Sequence, residues 1–149
     1  MENLKLHPDF KEFLRLLNSK KVKYLLVGGY AVSYHGYPRS TGDMDIWIET
    51  DKSNAAKVKE SLQEFGIPAE NISPDILMNK DTILRMGIPP VRLEIITSAS
   101  GVNFDECFEK RVVVESGDLK VNLISLKDLK TNKKASGRFK DLEDLKNLP

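Results

Sequence analysis

The strongest constraint on the fold is a short apolar segment that ends at two glycines. Residues 24–27 read Tyr-Leu-Leu-Val and are followed by Gly28 and Gly29. An apolar run this short, bounded by glycine, is typical of a buried strand. A short helix is predicted over residues 30–35, and Gly36 can end it. The sequence therefore predicts a strand, a glycine turn and a helix in close succession.

A second predicted strand, over residues 44–49, carries two carboxylates on one face. Side chains two residues apart on a strand point the same way, so Asp43 and Asp45 are expected to lie side by side. Carboxylates that close repel each other, and their burial is costly unless a cation compensates. Mg²⁺ prefers such oxygen ligands. The alternative is that Asp43 is a turn residue after Gly42 and Asp45 is a surface residue.

The two glycines add a candidate phosphate site before this acidic pair. Glycine lets the backbone approach a ligand closely, and a helix N-terminus offers unpaired N–H groups to phosphate. Gly28 and Gly29 therefore form a candidate triphosphate turn, although most Gly-Gly pairs are simply turns. The chain has neither a P-loop motif nor the G-x-G-x-x-G motif of dinucleotide-binding folds.

A third acidic residue, Glu94, interrupts the apolar segment of residues 91–97, which predicts another strand. Charged residues are uncommon inside such segments. Glu94 is therefore a candidate third carboxylate of the same cluster. Arg92 is expected on the same strand face, and a salt bridge between Arg92 and Glu94 is the alternative interpretation.

The remaining segments predict an α+β fold in which a mixed sheet has flanking helices. Strands and helices are intermingled, and a hairpin is predicted around Ser116-Gly117, which differs from the regular alternation of a doubly wound fold. A helix is predicted over Pro8–Ser19, and its core face is expected to consist of residues at steps of three and four, Phe10, Phe13, Leu14 and Leu17. The further predictions are a helix capped by Ser53 and ended by Gly66, a loop with at most one short strand over 67–81, a strand over 82–86 broken by Gly87 and Pro89-Pro90, and helices that begin at Asn103, Ser125 and Asp141.

Composition is that of a globular protein, with 40% hydrophobic and 30% charged residues in 149. We expect one domain over residues 1–149. No apolar run approaches the ~20 residues of a membrane span, and the N-terminal segment shows no signal sequence. The expected location is therefore cytoplasmic, without membrane partners. A single cysteine, Cys107, excludes an internal disulfide and is expected to be a buried thiol.

The net charge of +1 conceals an uneven distribution. Residues 1–23 carry +3, residues 24–119 carry −6, and residues 120–149 carry +4. An acidic middle between basic ends suits a metal site with phosphate-binding surroundings. It is equally compatible with an ordinary solvated surface.

Three segments together resemble a known family. LVGGYAVSYHGYPRSTGDMDIWIE resembles the nucleotidyltransferase signature of the DNA polymerase beta superfamily. RLEIITSASGVNFDECF and LISLKDLKTNKKASGRFKDLEDL are similar to stand-alone bacterial nucleotidyltransferases related to abortive-infection and toxin–antitoxin systems. The resemblance extends from about residue 10 to residue 148 and rests on the joint pattern.

The resemblance implies a nucleotidyltransferase fold and transfer of a nucleoside monophosphate from a nucleoside triphosphate, with Mg²⁺ or Mn²⁺. By position, Asp43 and Asp45 match the two metal-binding aspartates, and Glu94 matches the third carboxylate. Gly28 and Gly29 match the phosphate-binding turn. The acceptor stays open among an RNA 3′ end, a protein hydroxyl and a small molecule. Because 149 residues leave little room for a separate acceptor domain, a partner protein or a homo-oligomer could complete the site.

Two departures from the family pattern keep a second function open. Glu94 stands where the pattern usually has aspartate, and Gly29 stands where many relatives have serine. The alternative to an enzyme is therefore a weakly active or inactive module that binds a nucleotide or a partner in a toxin–antitoxin type of system.

Three basic residues are further candidates for nucleotide binding. Arg39 precedes the two aspartates and is predicted to contact triphosphate oxygens. Lys133 and Arg138 belong to a basic cluster near the C-terminus and are candidate phosphate contacts. The alternatives are a surface arginine after Pro38 and a solvated helix end.

Overall fold

The structure is a computed structural model that describes residues 4–88 and 90–149. Residues 1–3, part of the segment predicted to lack a signal sequence, and Pro89, predicted to help end a strand, lie outside the described residues. The elements in chain order are α1 (Pro8–Ser19), β1 (Tyr24–Val27), α2 (Gly28–His35), β2 (Asp43–Ile48), α3 (Lys52–Phe65), β3 (Ile83–Ile88), β4 (Val91–Ile96), α4 (Phe104–Glu109), β5 (Val112–Ser116), β6 (Leu119–Leu123), α5 (Leu126–Ser136) and α6 (Phe139–Asn147).

The strands form one mixed sheet in the order β3-β4-β2-β1-β6-β5. The β2–β4 and β1–β6 pairs are parallel, and the others are antiparallel. The predicted hairpin is the β5–β6 pair, which turns at Gly117. The structure therefore confirms the α+β prediction of a mixed sheet with flanking helices. The prediction of a single domain stays a prediction.

The core lies between the sheet and its helices, as helix α1 illustrates. The predicted face of α1 is fully buried and consists of Phe10, Phe13, Leu14 and Leu17. Phe13 meets Phe65 of α3 edge to face at 5.3 Å, so α1 and α3 pack on each other. Burying each such side chain stabilises the fold by about 1.5–3 kcal/mol. No helix of the described residues is long and apolar enough to cross a membrane.

Several predicted boundaries are wrong by a few residues. Helix α2 begins at Gly28, two residues earlier than predicted. The φ of 68° at Gly28 lets the chain pass from β1 directly into the helix. The N-cap of α3 is Asp51, whose carboxylate accepts from the N–H of Asn54 at 2.7 Å, and not Ser53. Strand β3 continues through Gly87 to Ile88, since its pairing with β4 extends to Val91. Residues 67–81 hold a 3-10 turn, Ile76–Met78, and no strand among those described.

The start of the last helix differs for a tertiary reason. Asp141 was predicted to cap it, but α6 begins at Phe139 and buries both Asp141 and Asp144. Cations from neighbouring elements, described below, stabilise these carboxylates inside the protein. The single thiol behaves as predicted: Cys107 is buried, and burial, followed by the nearby Asp128, raises its pKa to about 12.

A buried amide joins three elements near the end of β2. The backbone N–H of Lys23 donates to Oδ1 of Asn54 at 2.8 Å. Nδ2 of Asn54 donates to the carbonyls of Lys23 at 3.0 Å and of Glu49 at 2.8 Å. Asn54 therefore connects the residue before β1, the residue after β2 and the first turn of α3.

Replacing Asn54 by alanine should lower the free energy of unfolding by about 3 kcal/mol, because three part-buried hydrogen bonds to the backbone of Lys23 and Glu49 would be lost. Urea unfolding measures the effect. Asn147→Ala is the matched control: its side chain is exposed and makes one bond, to the carbonyl of Glu143. The control should change stability by less than about 0.5 kcal/mol; equal effects of the two substitutions would refute the role given to Asn54.

Candidate metal and nucleotide site

The register of β2 and β4 brings three carboxylates together. The two strands are parallel, and Asp45 is aligned with Glu94. Asp43 shares the strand face of Asp45, as predicted from its spacing. Oxygen atoms of Asp43, Asp45 and Glu94 lie within 4.8 Å of one another. The structure thus brings together the three residues that the sequence singled out, while their roles stay predictions.

Two of the carboxylates form salt bridges with arginines. Arg92 donates from Nε and Nη2 to the two oxygens of Asp43 at 2.7 and 3.0 Å. These hydrogen bonds lower the pKa of Asp43. Arg85 of β3 donates from Nε to Glu94 at 2.8 Å. The Arg92–Glu94 pair considered from sequence is therefore wrong, because the strand register aligns Arg92 with Asp43.

The third carboxylate, Asp45, is electrostatically unfavourable. Burial raises its pKa to about 7, and the charges of Glu94 and Asp43 add to the effect. No salt bridge among the described residues includes Asp45. A cluster of hard oxygen donors in which the half-buried Asp45 has no such salt bridge fits Mg²⁺ or Mn²⁺. Asp43, Asp45 and Glu94 are thus the residues that can hold a metal.

Gly28 is required by the position of Asp45. Its neighbour Val27 is aligned with Asp45 in the β1–β2 pair. A β-carbon on Gly28 would overlap Oδ2 of Asp45, and its φ of 68° also disfavours other residues. A β-carbon on Gly29 would lie 2.7 Å from the side chain of Thr41. The two glycines therefore let the start of α2 pack directly against the acidic cluster.

These groups open into one cavity of about 600 Å³. Such a volume lies within the range of about 300–1,000 Å³ that is usual for small-molecule sites. The acidic cluster and both glycines line one part of it. Basic side chains line another part, and they include the three predicted candidates and two that were not predicted: Arg39, Arg85, Lys133, Arg138 and Lys140.

The three predicted phosphate-binding residues belong to a charge network beside the cavity. Arg39 donates from Nε and Nη2 to the carboxylate of Asp144 at 2.7 and 2.8 Å. Nζ of Lys133 lies 3.1 Å from Asp141 and 3.0 Å from Asp144. Arg138 donates to Asp141 at 2.8 Å. The network connects the loop before β2 to α5 and α6, next to the cavity.

Burial decides which interpretation of these cations holds. Lys133 is buried, so the interpretation of its cluster as a solvated helix end is wrong at this position. Only 16% of the Arg39 side chain is exposed, which also excludes a free surface arginine. The Arg138 side chain is 80% exposed despite its ion pair. For Asp141, burial alone would raise the pKa, but hydrogen bonds from Ser136, Arg138 and Lys133 outweigh it and lower the pKa to about 2.

Trp47 and His35 have structural roles. Trp47 is buried and meets Phe104 edge to face, with 5.2 Å between the ring centroids, so it belongs to the core. His35 Nε2 lies 2.7 Å from the carbonyl oxygen of Ile124, so this side chain joins the end of α2 to the residue after β6. Sequence reasoning missed Arg85 and Asp144. Arg85 could have been found only from its alignment with Glu94 in the β3–β4 pair, and the sequence does not give that register.

Comparisons with known proteins give the family. The family described as "Nucleotidyltransferase of unknown function (DUF6036)" matches residues 5–148, and the chain belongs to it. A crystal structure of a protein from Thermotoga maritima, provisionally assigned as a nucleotidyltransferase, aligns with a TM-score of 0.65 at 17% identity. That alignment covers 95% of this chain and 93% of the other, and at this identity it shows a shared fold. No curated protein matches the sequence significantly.

Divalent cations should stabilise the protein, because they bind the folded cluster in preference to the unfolded chain. Mg²⁺ or Mn²⁺ at about a hundred times the dissociation constant should add about 2.7 kcal/mol over EDTA. Asp45→Asn should remove that gain. In EDTA, the same substitution should raise the midpoint of thermal unfolding, because it removes a charge that burial and two neighbouring carboxylates disfavour.

Thermal melts of wild type, Asp45→Asn and Asp118→Asn provide the measurement. Asp118 is an exposed aspartate paired with Arg15, far from the cluster in sequence and outside the cavity lining. Asp118→Asn should keep the full metal response. Equal midpoints with metal and with EDTA in the wild type would count against a metal site.

Proposed function

We propose that this member of the nucleotidyltransferase family transfers a nucleoside monophosphate from a nucleoside triphosphate to a hydroxyl group, with Mg²⁺ or Mn²⁺, as enzymes of the DNA polymerase beta type do. One observation carries the proposal: three carboxylates lie within 4.8 Å of one another. Their cavity is also lined by the two glycines at the start of α2. Carboxylates can hold the metal ions of such a transfer, and backbone N–H groups at a helix N-terminus can bind its phosphates.

In this proposal, Asp43, Asp45 and Glu94 would hold the cations that accompany the triphosphate. When bound, such cations neutralise the triphosphate and lower the pKa of the attacking hydroxyl. Gly28 and Gly29 let the triphosphate approach the first turn of α2, whose N-cap Val27 makes no side-chain hydrogen bond. The dipole of α2 then favours phosphate charge at this end.

The chemical step is an in-line displacement at the α-phosphorus. The acceptor oxygen forms the new bond to phosphorus, the bond between the α-phosphorus and the bridging oxygen breaks, and pyrophosphate leaves. Glu94 takes the proton of the hydroxyl as general base. Most of the rate gain in such a step comes from positioning and from charge stabilisation.

The basic residues have a supporting role in the proposal. Lys133 and Arg39 are fixed by Asp144, so their charges are preorganised beside the cavity rather than free to follow a ligand. Arg138 and Arg85 have mostly exposed side chains and can turn towards phosphate. We assign Arg39, Lys133 and Arg138 to nucleotide binding on this basis.

A second candidate function is a module that binds a nucleotide or a partner without turnover, for example in a toxin–antitoxin type of system. One specific observation favours it: Arg92 and Arg85 already satisfy Asp43 and Glu94. A cation that uses these carboxylates has to compete with both guanidinium groups. Under either function, a partner protein or a second copy of the chain can complete the acceptor side of the site.

Glu94→Gln should reduce transfer by on the order of a hundredfold or more while leaving the fold intact, because the amide cannot take the proton and binds a hard cation weakly. Glu94→Asp should retain activity. The assay incubates the protein with each α-³²P-labelled nucleoside triphosphate, Mn²⁺ and mixed cellular RNA and protein. Label is then sought in either polymer.

Glu115→Gln is the matched control, since Glu115 is an exposed strand glutamate that does not line the cavity. It should leave transfer unchanged. Wild-type transfer that survives Glu94→Gln would refute the role of Glu94. Nucleoside triphosphate binding without transfer to any acceptor would instead support the binding module.

A further inference from the structure

Helix α6 begins with an exposed aromatic residue beside the cavity. Phe139 is its first residue and is 86% exposed, more than any other large hydrophobic residue in the described part of the chain. Arg138 precedes it and Lys140 follows it, and both line the cavity. Phe139 itself does not line the cavity, so the exposed residue is adjacent in the chain to two residues of the cavity edge without closing the cavity.

The charge network explains why Phe139 is not buried. Asp141 and Asp144 occupy the inward face of α6, where Lys133 binds both of them. Phe139 and Leu142 of the same helix are consequently exposed, Leu142 by 47%, while Leu145 is half-buried. Helix α6 thus buries two carboxylates and exposes two large apolar side chains, whereas an ordinary surface helix turns its apolar residues towards the core.

The neighbours of Phe139 in the sequence line the same cavity as the acidic cluster. Arg138 and Lys140 both contribute to its lining, together with Asp43, Asp45 and Glu94. Phe139 therefore lies between two cavity-lining cations at the start of α6.

An exposed aromatic ring flanked by cations matches the chemistry of single-stranded nucleic acids, in which each flat base is joined to a phosphate. A nucleoside triphosphate held in the cavity contacts the lining residues, and Phe139 is not one of them. A polymer whose terminal hydroxyl enters the cavity extends outside it, where Phe139 is exposed. The charge of +4 on residues 120–149 also favours a polyanion.

We propose that the acceptor is the end of a single-stranded polynucleotide, with a base stacked on Phe139 and the adjoining phosphate bound by Lys140. This inference rests on the proposed transfer reaction and specifies its acceptor. RNA and DNA share the required chemistry, and the experiment compares them.

The test measures binding of fluorescein-labelled oligo(U) and oligo(dT) to the full chain by fluorescence anisotropy. Phe139→Ala should weaken binding about tenfold, and Phe139→Trp should restore it. Leu142→Ala is the matched control: Leu142 is exposed on the same helix but lies between Asp141 and Glu143, so it should bind as the wild type does. Lys140→Gln should make binding less dependent on salt, by about one unit in the slope of log Kd against log salt concentration.

Binding of Mn²⁺–nucleoside triphosphate, measured on the same variants by calorimetry, separates this inference from the proposed function. It should be unchanged by Phe139→Ala. If the wild type binds the triphosphate but no oligonucleotide, the acceptor proposal is overturned and the proposed function stands. If the wild type binds neither, the proposed function itself is contradicted together with the acceptor proposal.

Equal losses of oligonucleotide binding in Phe139→Ala and Leu142→Ala would overturn the proposal. A change of oligomeric state in both variants would also overturn it, because it would indicate that these residues form a protein interface. Tighter binding of RNA or of DNA supports it and identifies the polymer.

Discussion

Repulsion among three carboxylates is the interaction on which the rest of the site depends. The parallel register of β2 and β4 fixes Asp45 beside Glu94, and the strand period adds Asp43 to the same face. The sheet gives these groups no room to separate, so their charges have to be neutralised where they are. Arginines do so at Asp43 and Glu94, while the pKa of Asp45 stays raised, chiefly by burial. A site arranged in this way is suited to bind a divalent cation.

A second set of charges supports the first from the neighbouring elements. Asp144 receives two hydrogen bonds from Arg39 and a salt bridge from Lys133, so the loop before β2 is joined to α5 and α6. Removing one partner of a buried ion pair typically lowers the free energy of unfolding by about 3–5 kcal/mol. The members of this network therefore stabilise one another. The network also determines which side of α6 faces solvent. The exposure of Phe139 is thus a consequence of where the buried acids are stabilised.

The sequence was sufficient for features with a local cause. Alternation on a strand placed Asp43 beside Asp45, and the spacing of Phe10, Phe13 and Leu17 predicted the buried face of α1. Predictions failed where partners distant in sequence decide. Arg92 was considered as a partner of Glu94, but the strand register gave it Asp43. Asp141 has the sequence of a helix cap, yet a lysine and an arginine stabilise it in the interior. Neither the register between two strands nor the burial of a side chain can be predicted from the local sequence alone.

The central claim is that Asp43, Asp45 and Glu94 form one cation site, and anomalous diffraction from crystals grown with Mn²⁺ tests it most directly. We expect an anomalous peak between the three carboxylates, about 2.1 Å from oxygens of at least two of them, as for a hard cation of this size. We also expect the peak to be absent in Asp45→Asn. Crystals in which Arg92 and Arg85 keep their pairs with Asp43 and Glu94, with no peak between the carboxylates, would contradict the cation site.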